Sequence, residues 1–106
     1  MPFMGKLKQA TAYTINVDNA TNGQAETSVT IVKINRRDNI AAAETETVAA
    51  GARVSFTGMA GARIDRLIVE VHPPPNGTVI VDVRQAATTY SDTFVGDRDF
   101  VFNLVS

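Results

Sequence analysis

The stretch RLIVEVHPPPNGTVIVDVR, residues 66–84, decides the fold class. On its first limb Leu67, Val69 and Val71 share one face of an extended chain, with Arg66, Ile68, Glu70 and His72 on the other. On its second limb Val79, Val81 and Val83 alternate with Ile80, Asp82 and Arg84. A period of two is the pattern of a strand with one face in the core. Between the limbs lie three consecutive prolines, which cannot donate ladder hydrogen bonds and belong outside a sheet. If the limbs pair as a hairpin, their buried faces must coincide. A two-residue turn at Asn76-Gly77 would set Val71 opposite Asp82, whereas a five-residue loop over 73–77 pairs His72 with Thr78 and keeps every valine inside. The expectation is therefore a hairpin with a proline-stiffened loop. Stiffness also preorganises a surface for binding, so His72, Pro73, Pro74 and Pro75, with the outward Ile68 and Ile80, are candidate partner contacts.

The same alternation runs outward along the chain. Segment 11–17 places Tyr13, Ile15 and Val17 on one face, 52–58 places Val54 and Phe56 inward, and 99–105 does so with Phe100, Phe102 and Leu104. In 25–35, Val29 and Ile31 oppose Val32 and Ile34, which requires either cover on both faces or a bulge near Ile31–Val32. Residues 36–50 are ambiguous. Ala and Glu favour a helical turn, but Thr45, Thr47 and Val48 are β-branched, and the reading is a loop or short strand near 38–42 followed by a strand at about 44–49. One more short strand falls within 87–95.

Short strands at even spacing, separated by turn formers, predict an all-β chain. The expected architecture is a single domain over 1–106, an antiparallel two-sheet β-sandwich of seven to eight strands with immunoglobulin-like or jelly-roll connectivity. No Cys…Trp…Cys pattern marks a true immunoglobulin domain. Residues 1–8 read as an N-terminal arm, with the segment Met1 to Leu7 apolar enough to dock on a neighbour.

Composition excludes several functions. There is no cysteine and one histidine, so neither a thiolate zinc site nor a Cys nucleophile is available, and no metal ligand set is assigned. Ten basic and eleven acidic residues, net charge −1, form no basic stripe for nucleic acid or an anionic membrane. No serine sits in a G-x-S-x-G elbow, and GMAGAR (58–63) lacks the spacing of a phosphate-binding loop. No apolar run suggests a signal peptide or a membrane span, so the expected location is cytoplasmic. Every basic residue after Lys33 is arginine, which with the abundant Ala and Val reads as bacterial codon bias.

What remains is a non-catalytic interaction or structural subunit, homo-oligomeric or bound to a protein partner. The alternative is a ligand-binding module. Asp18 and Asn22 in one turn, and Asp92, Asp97 and Asp99 near another, supply oxygens for calcium, and Tyr90 beside Asp92 offers a stacking surface for carbohydrate. A weaker alternative is a partner-binding or inhibitor protein acting through the loop 72–78. Asn19-Ala-Thr21 and Asn76-Gly-Thr78 match the glycosylation acceptor pattern at about the rate chance supplies.

Overall fold

The alternation is realised as strands. A computed structural model describes residues 3–19, 25–61, 63–74 and 77–105, and among these there are nine strands and no helix. In chain order they are β1 (Phe3–Lys8), β2 (Ala12–Asp18), β3 (Thr27–Asn35), β4 (Ile40–Val48), β5 (Arg53–Met59), β6 (Ile64–His72), β7 (Val79–Gln85), β8 (Thr88–Phe94) and β9 (Arg98–Val105). They form a five-stranded sheet ordered β1-β9-β6-β3-β4 and a four-stranded sheet ordered β5-β2-β7-β8.

The inward faces are those that the alternation predicts. Tyr13, Ile15 and Val17 of β2, Leu67, Val69 and Val71 of β6, Val79, Val81 and Val83 of β7, and Phe100 and Phe102 of β9 join one buried cluster drawn from both sheets. Each fully buried valine contributes roughly 1.5–3 kcal/mol. The inner faces meet through aromatic rings: Tyr90 of β8 lies 5.2 Å from Phe102 of β9, and Phe94 lies 5.1 Å from Phe100 in an edge contact.

Strand pairing departs from the expected hairpin at the decisive stretch. β6 pairs with β3 and β9, and β7 pairs with β2 and β8, so the segment between them crosses from one sheet to the other. His72 stands opposite Ser28 rather than Thr78. Parity alone does not distinguish the two arrangements, because odd residues that face one core do so equally well from the same sheet or from opposite sheets. Pro74 is buried, and the Gly77 N–H donates to its carbonyl at 2.9 Å, so this part of the crossover packs against the body.

The pairing bears on several other expectations. The N-terminal segment is not an arm reaching for a neighbour: β1 pairs with β9 of its own chain and Leu7 is buried. That pair is parallel, so the sheet is mixed, and β1 brings the strand count to nine instead of seven or eight. In β3 the first of the two expected alternatives holds, cover on both faces around Ile31 and Val32, and the register shifts lie instead at Lys33/Ile34 against β4 and Ile34/Asn35 against β6. Val32 remains on the outer face and is covered there, in register with Ala43 and Ile68. Finally, β4 begins at Ile40 and runs unbroken to Val48, where a loop or short strand is expected near 38–42.

One flank of the two sheets is tied shut. The Tyr90 hydroxyl accepts the Lys6 N–H at 3.0 Å and donates to the Lys6 carbonyl at 2.9 Å, linking the edge strands β8 and β1. Gln85 is buried and makes three bonds: its Oε1 accepts the Lys8 N–H, and its Nε2 donates to the carbonyls of Lys8 and Thr11. Asp92 holds Arg98 at 2.9 Å, with the guanidinium 5.4 Å over the Phe94 ring. A carbon substituent at Gly5 would approach the Tyr90 ring to 2.7 Å, so only glycine lets β1 lie this close to β8.

Two stability predictions arise here. Gln85→Leu leaves three backbone groups without their partner and should destabilise the fold by about 1–3 kcal/mol in urea unfolding. Ala86, in the two-residue turn between β7 and β8, has φ of 52°, a conformation that penalises a side chain. Ala86→Gly should accordingly raise stability by up to about 1 kcal/mol in the same assay.

Candidate functional site

The acidic residues singled out as ligand oxygens are dispersed. Asp18 lies on the outer face of the four-stranded sheet, paired with Arg53 at 3.0 Å. Asp92 points inward and is engaged by Arg98. Asp97 meets His72 Nδ1 at 3.3 Å, and Asp99 sits beside Glu70 in register on the outer face of the five-stranded sheet. Tyr90 is committed to Lys6 of β1. Asn22 lies outside the described residues, as does Pro75. Among the described residues no group of three or more His, Cys, Asp and Glu is placed to hold a metal.

The partner-contact set is divided in the same way. Ile68 and His72 share the outer face of the five-stranded sheet, whereas Ile80 lies on the outer face of the other sheet. Ile68 packs in a short apolar row with Val32 and Val101. Pro73 is half-buried and Pro74 buried.

The concave site lies instead on the flank opposite the ties, between the edge strands β4 and β5. It arises from how β4 leaves the core. In register with β3, the inward positions of β4 are Val48, Glu46, Glu44 and Ala42, opposite Thr27, Val29, Ile31 and Lys33. Val48 is fully buried, and the next inward residues are charged or small and cannot fill the space before them. Across the gap stand Phe56 and Gly58 of β5 with Tyr13 of β2. The result is a cleft of about 340 Å³ lined by Tyr13, Ile31, Lys33, Glu44, Glu46 and Phe56 among others.

The cleft combines an apolar floor with an acidic rim. Ile31 is 7% exposed and Tyr13 3% exposed, so the aliphatic and aromatic surfaces lie deep. Glu44 and Glu46, two residues apart on one face of β4, carry the rim charge, while Lys33 donates its ammonium to the Met59 carbonyl at 3.1 Å. The Tyr13 hydroxyl lines the cleft and makes no hydrogen bond to a described residue. A carbon substituent at Gly58 would come within 2.7 Å of that oxygen, so Gly58 keeps the space the phenol occupies. Burial first, and the nearby Glu44 charge second, raise the Tyr13 pKa above its ordinary 10.0. The phenol thus stays neutral, able to donate and to accept, at any physiological pH.

A second, shallower depression of about 550 Å³ is bounded by Asn35, Arg36, Arg37 and Arg63 at the β3–β4 turn. Of its arginines, Arg36 lies 3.9 Å from Asp65. Comparison with protein-family models, with characterised proteins and with solved structures finds no match to this chain.

Sequence reasoning places Tyr13 correctly inside but assigns no role to it, and it passes over Glu44 and Glu46. The signal was available in ETET (44–47): alternate charged residues in an extended segment put a charged row on one face of a strand. The Tyr13 environment is testable by pH. Because the folded pKa is raised, the stabilisation is complete below pH 10.0 and is lost as pH climbs through the folded value. Tyr13→Phe should remove that component of the alkaline stability loss, measured by urea unfolding at stepped pH with tyrosinate absorbance as the second readout.

Proposed function

We propose that the two sheets form a β-sandwich whose chain acts as a non-catalytic contact subunit, offering the free edge of β4 and the adjoining cleft to another polypeptide. The observation that carries this reading is the asymmetry of the two flanks. Side-chain ties close the β1/β8 flank, while among the described residues β4 pairs with a strand on one side only and is exposed along almost its whole length. A nine-residue edge strand is a template for strand addition, a recurring way for a sheet to take up an extended chain.

The connectivity is read as immunoglobulin-like with an inserted hairpin. The pairs β2–β5, β3–β6 and β6–β9 match the B–E, C–F and F–G pairs of that arrangement, with β7–β8 standing between the last two strands. A second copy is one polypeptide that could occupy the edge, which makes the chain a homo-oligomer. In that case the twofold must fall in the Ile40–Ala43 half of β4, since an axis at Glu44 or Thr45 sets carboxylate against carboxylate.

Amide hydrogen exchange combined with light scattering tests the reading. Fast exchange of the β4 amides that point away from β3, in a monomer, is the expected result for an edge awaiting a different chain. Slow exchange in a multimer that Thr45→Pro converts to monomer supports the same surface with a second copy as occupant. Slow exchange of those amides in a monomer shows the edge covered by its own chain and overturns the proposal.

A further inference from the structure

We infer that the cleft between β4 and β5 receives a lysine or arginine side chain from an extended segment of a partner protein laid along the β4 edge. The inference rests on the contact reading above and names the chemistry of its partner.

Geometry comes first. A strand added to β4 continues the pleat of the five-stranded sheet, so its alternate side chains fall on the same face as Ala42, Glu44 and Glu46 and overhang the cleft. A residue placed opposite Glu44 or Glu46 lies within side-chain reach of the carboxylate, where an opposite charge is favoured and a like charge is not. Lys33, the nearest cation, is held by the Met59 carbonyl, and the rim carries two carboxylates against this one ammonium.

The interior selects further. Lysine and arginine have aliphatic stems that lie against apolar surface while the head reaches polar groups. Ile31, Phe56 and the ring of Tyr13 provide that surface, and Glu44 and Glu46 stand at the mouth to accept the head. The Tyr13 hydroxyl is a polar atom on a side chain 97% buried by its 3% exposure, it opens into the cleft, and it has no hydrogen-bond partner among the described residues. An ammonium or guanidinium N–H would donate to that oxygen, which an apolar side chain could not, and it is the Glu44 and Glu46 carboxylates that disfavour an acidic one.

Charge complementarity also separates the occupants. A second copy of β4 would bring Ala42, Glu44 and Glu46 as its own inward residues and add carboxylates to an acidic rim. A basic segment neutralises it.

The test is an NMR titration of the isotope-labelled full chain with an end-capped octapeptide of alternating threonine and lysine, and with its threonine–glutamate counterpart. The lysine peptide should shift the β4 amides and the Tyr13 ring, weaken as salt is raised, and outbind the glutamate peptide. Glu44→Gln combined with Glu46→Gln should reduce its affinity on the order of tenfold. Both glutamates are on the surface of an edge strand, and an unchanged amide spectrum away from β4 checks that the variant is folded. Equal binding of the two peptides, shifts confined to another face, unaltered affinity in the double variant, or no binding at all would each overturn the inference. If no peptide binds while the chain is a multimer dissolved by Thr45→Pro, the basic-partner inference fails and the contact reading stands.

Discussion

Two sheets that share one core leave a slit along each flank, where backbone edges and the ends of inward side chains meet water. How each slit is treated governs the rest of this molecule. On one flank the inward positions are Tyr90, Asp92 and Arg98, with Gln85 at the end of β7. All reach across to the other sheet and satisfy polar groups there. On the other flank the inward positions of β4 beyond Val48 are Glu46, Glu44 and Ala42, which are hydrated or too short to cross. A buried polar group without a partner is destabilising by about 1–3 kcal/mol, and on the tied flank Gln85, Tyr90 and Asp92 each have partners, while the buried Arg98 Nε has none among the described residues. The untied flank keeps its charges at the surface and opens as a cleft.

This division explains which parts of the fold were legible in the sequence. Inward sets were legible because burial imposes strict alternation on Tyr13-Ile15-Val17, Leu67-Val69-Val71 and Val79-Val81-Val83. Partnership between strands was not, because parity assigns a face and says nothing of which sheet carries it. The limbs around PPPNG illustrate this: both faces were read correctly and the hairpin between them does not exist. β1 escaped notice because its alternation is too short to read, with Leu7 inward at its end. β4 was blurred for a different reason. With Val48 alone anchored in the core, IAAAETET offers no apolar face by which to recognise a strand, and only the β-branched threonines hint at extension.

The site was less legible than the fold because its components lie far apart in sequence and are individually ordinary. Tyr13 reads as core, and its ring is; only the position of β5 shows that its hydroxyl stands at an opening. The aspartates read as a ligand set because turn-forming residues cluster in turns, and folding separates them. Asp18 pairs with Arg53, Asp92 with Arg98, and Asp97 approaches the His72 ring, so each is engaged by a different side chain. Acidic residues that look collected along a chain are no guide to a site unless the strand order brings their loops together.

An exposed edge strand carries a hazard, since any extended chain, including another copy of itself, can pair with it. Many proteins blunt such edges with lysine or proline, or shorten them. β4 is long and has neither residue, and its defence is the pair of carboxylates on the inward face. These act selectively. They disfavour an identical strand paired about Glu44 or Thr45, where carboxylate would face carboxylate, and they gain nothing from an uncharged chain. A strand that brings cations to those positions is favoured on both counts. On the proposed reading, the feature that would keep the edge from self-pairing is the same feature that would give it a preferred partner, and the aromatic floor beneath the carboxylates would turn that preference toward a long basic side chain rather than positive charge alone.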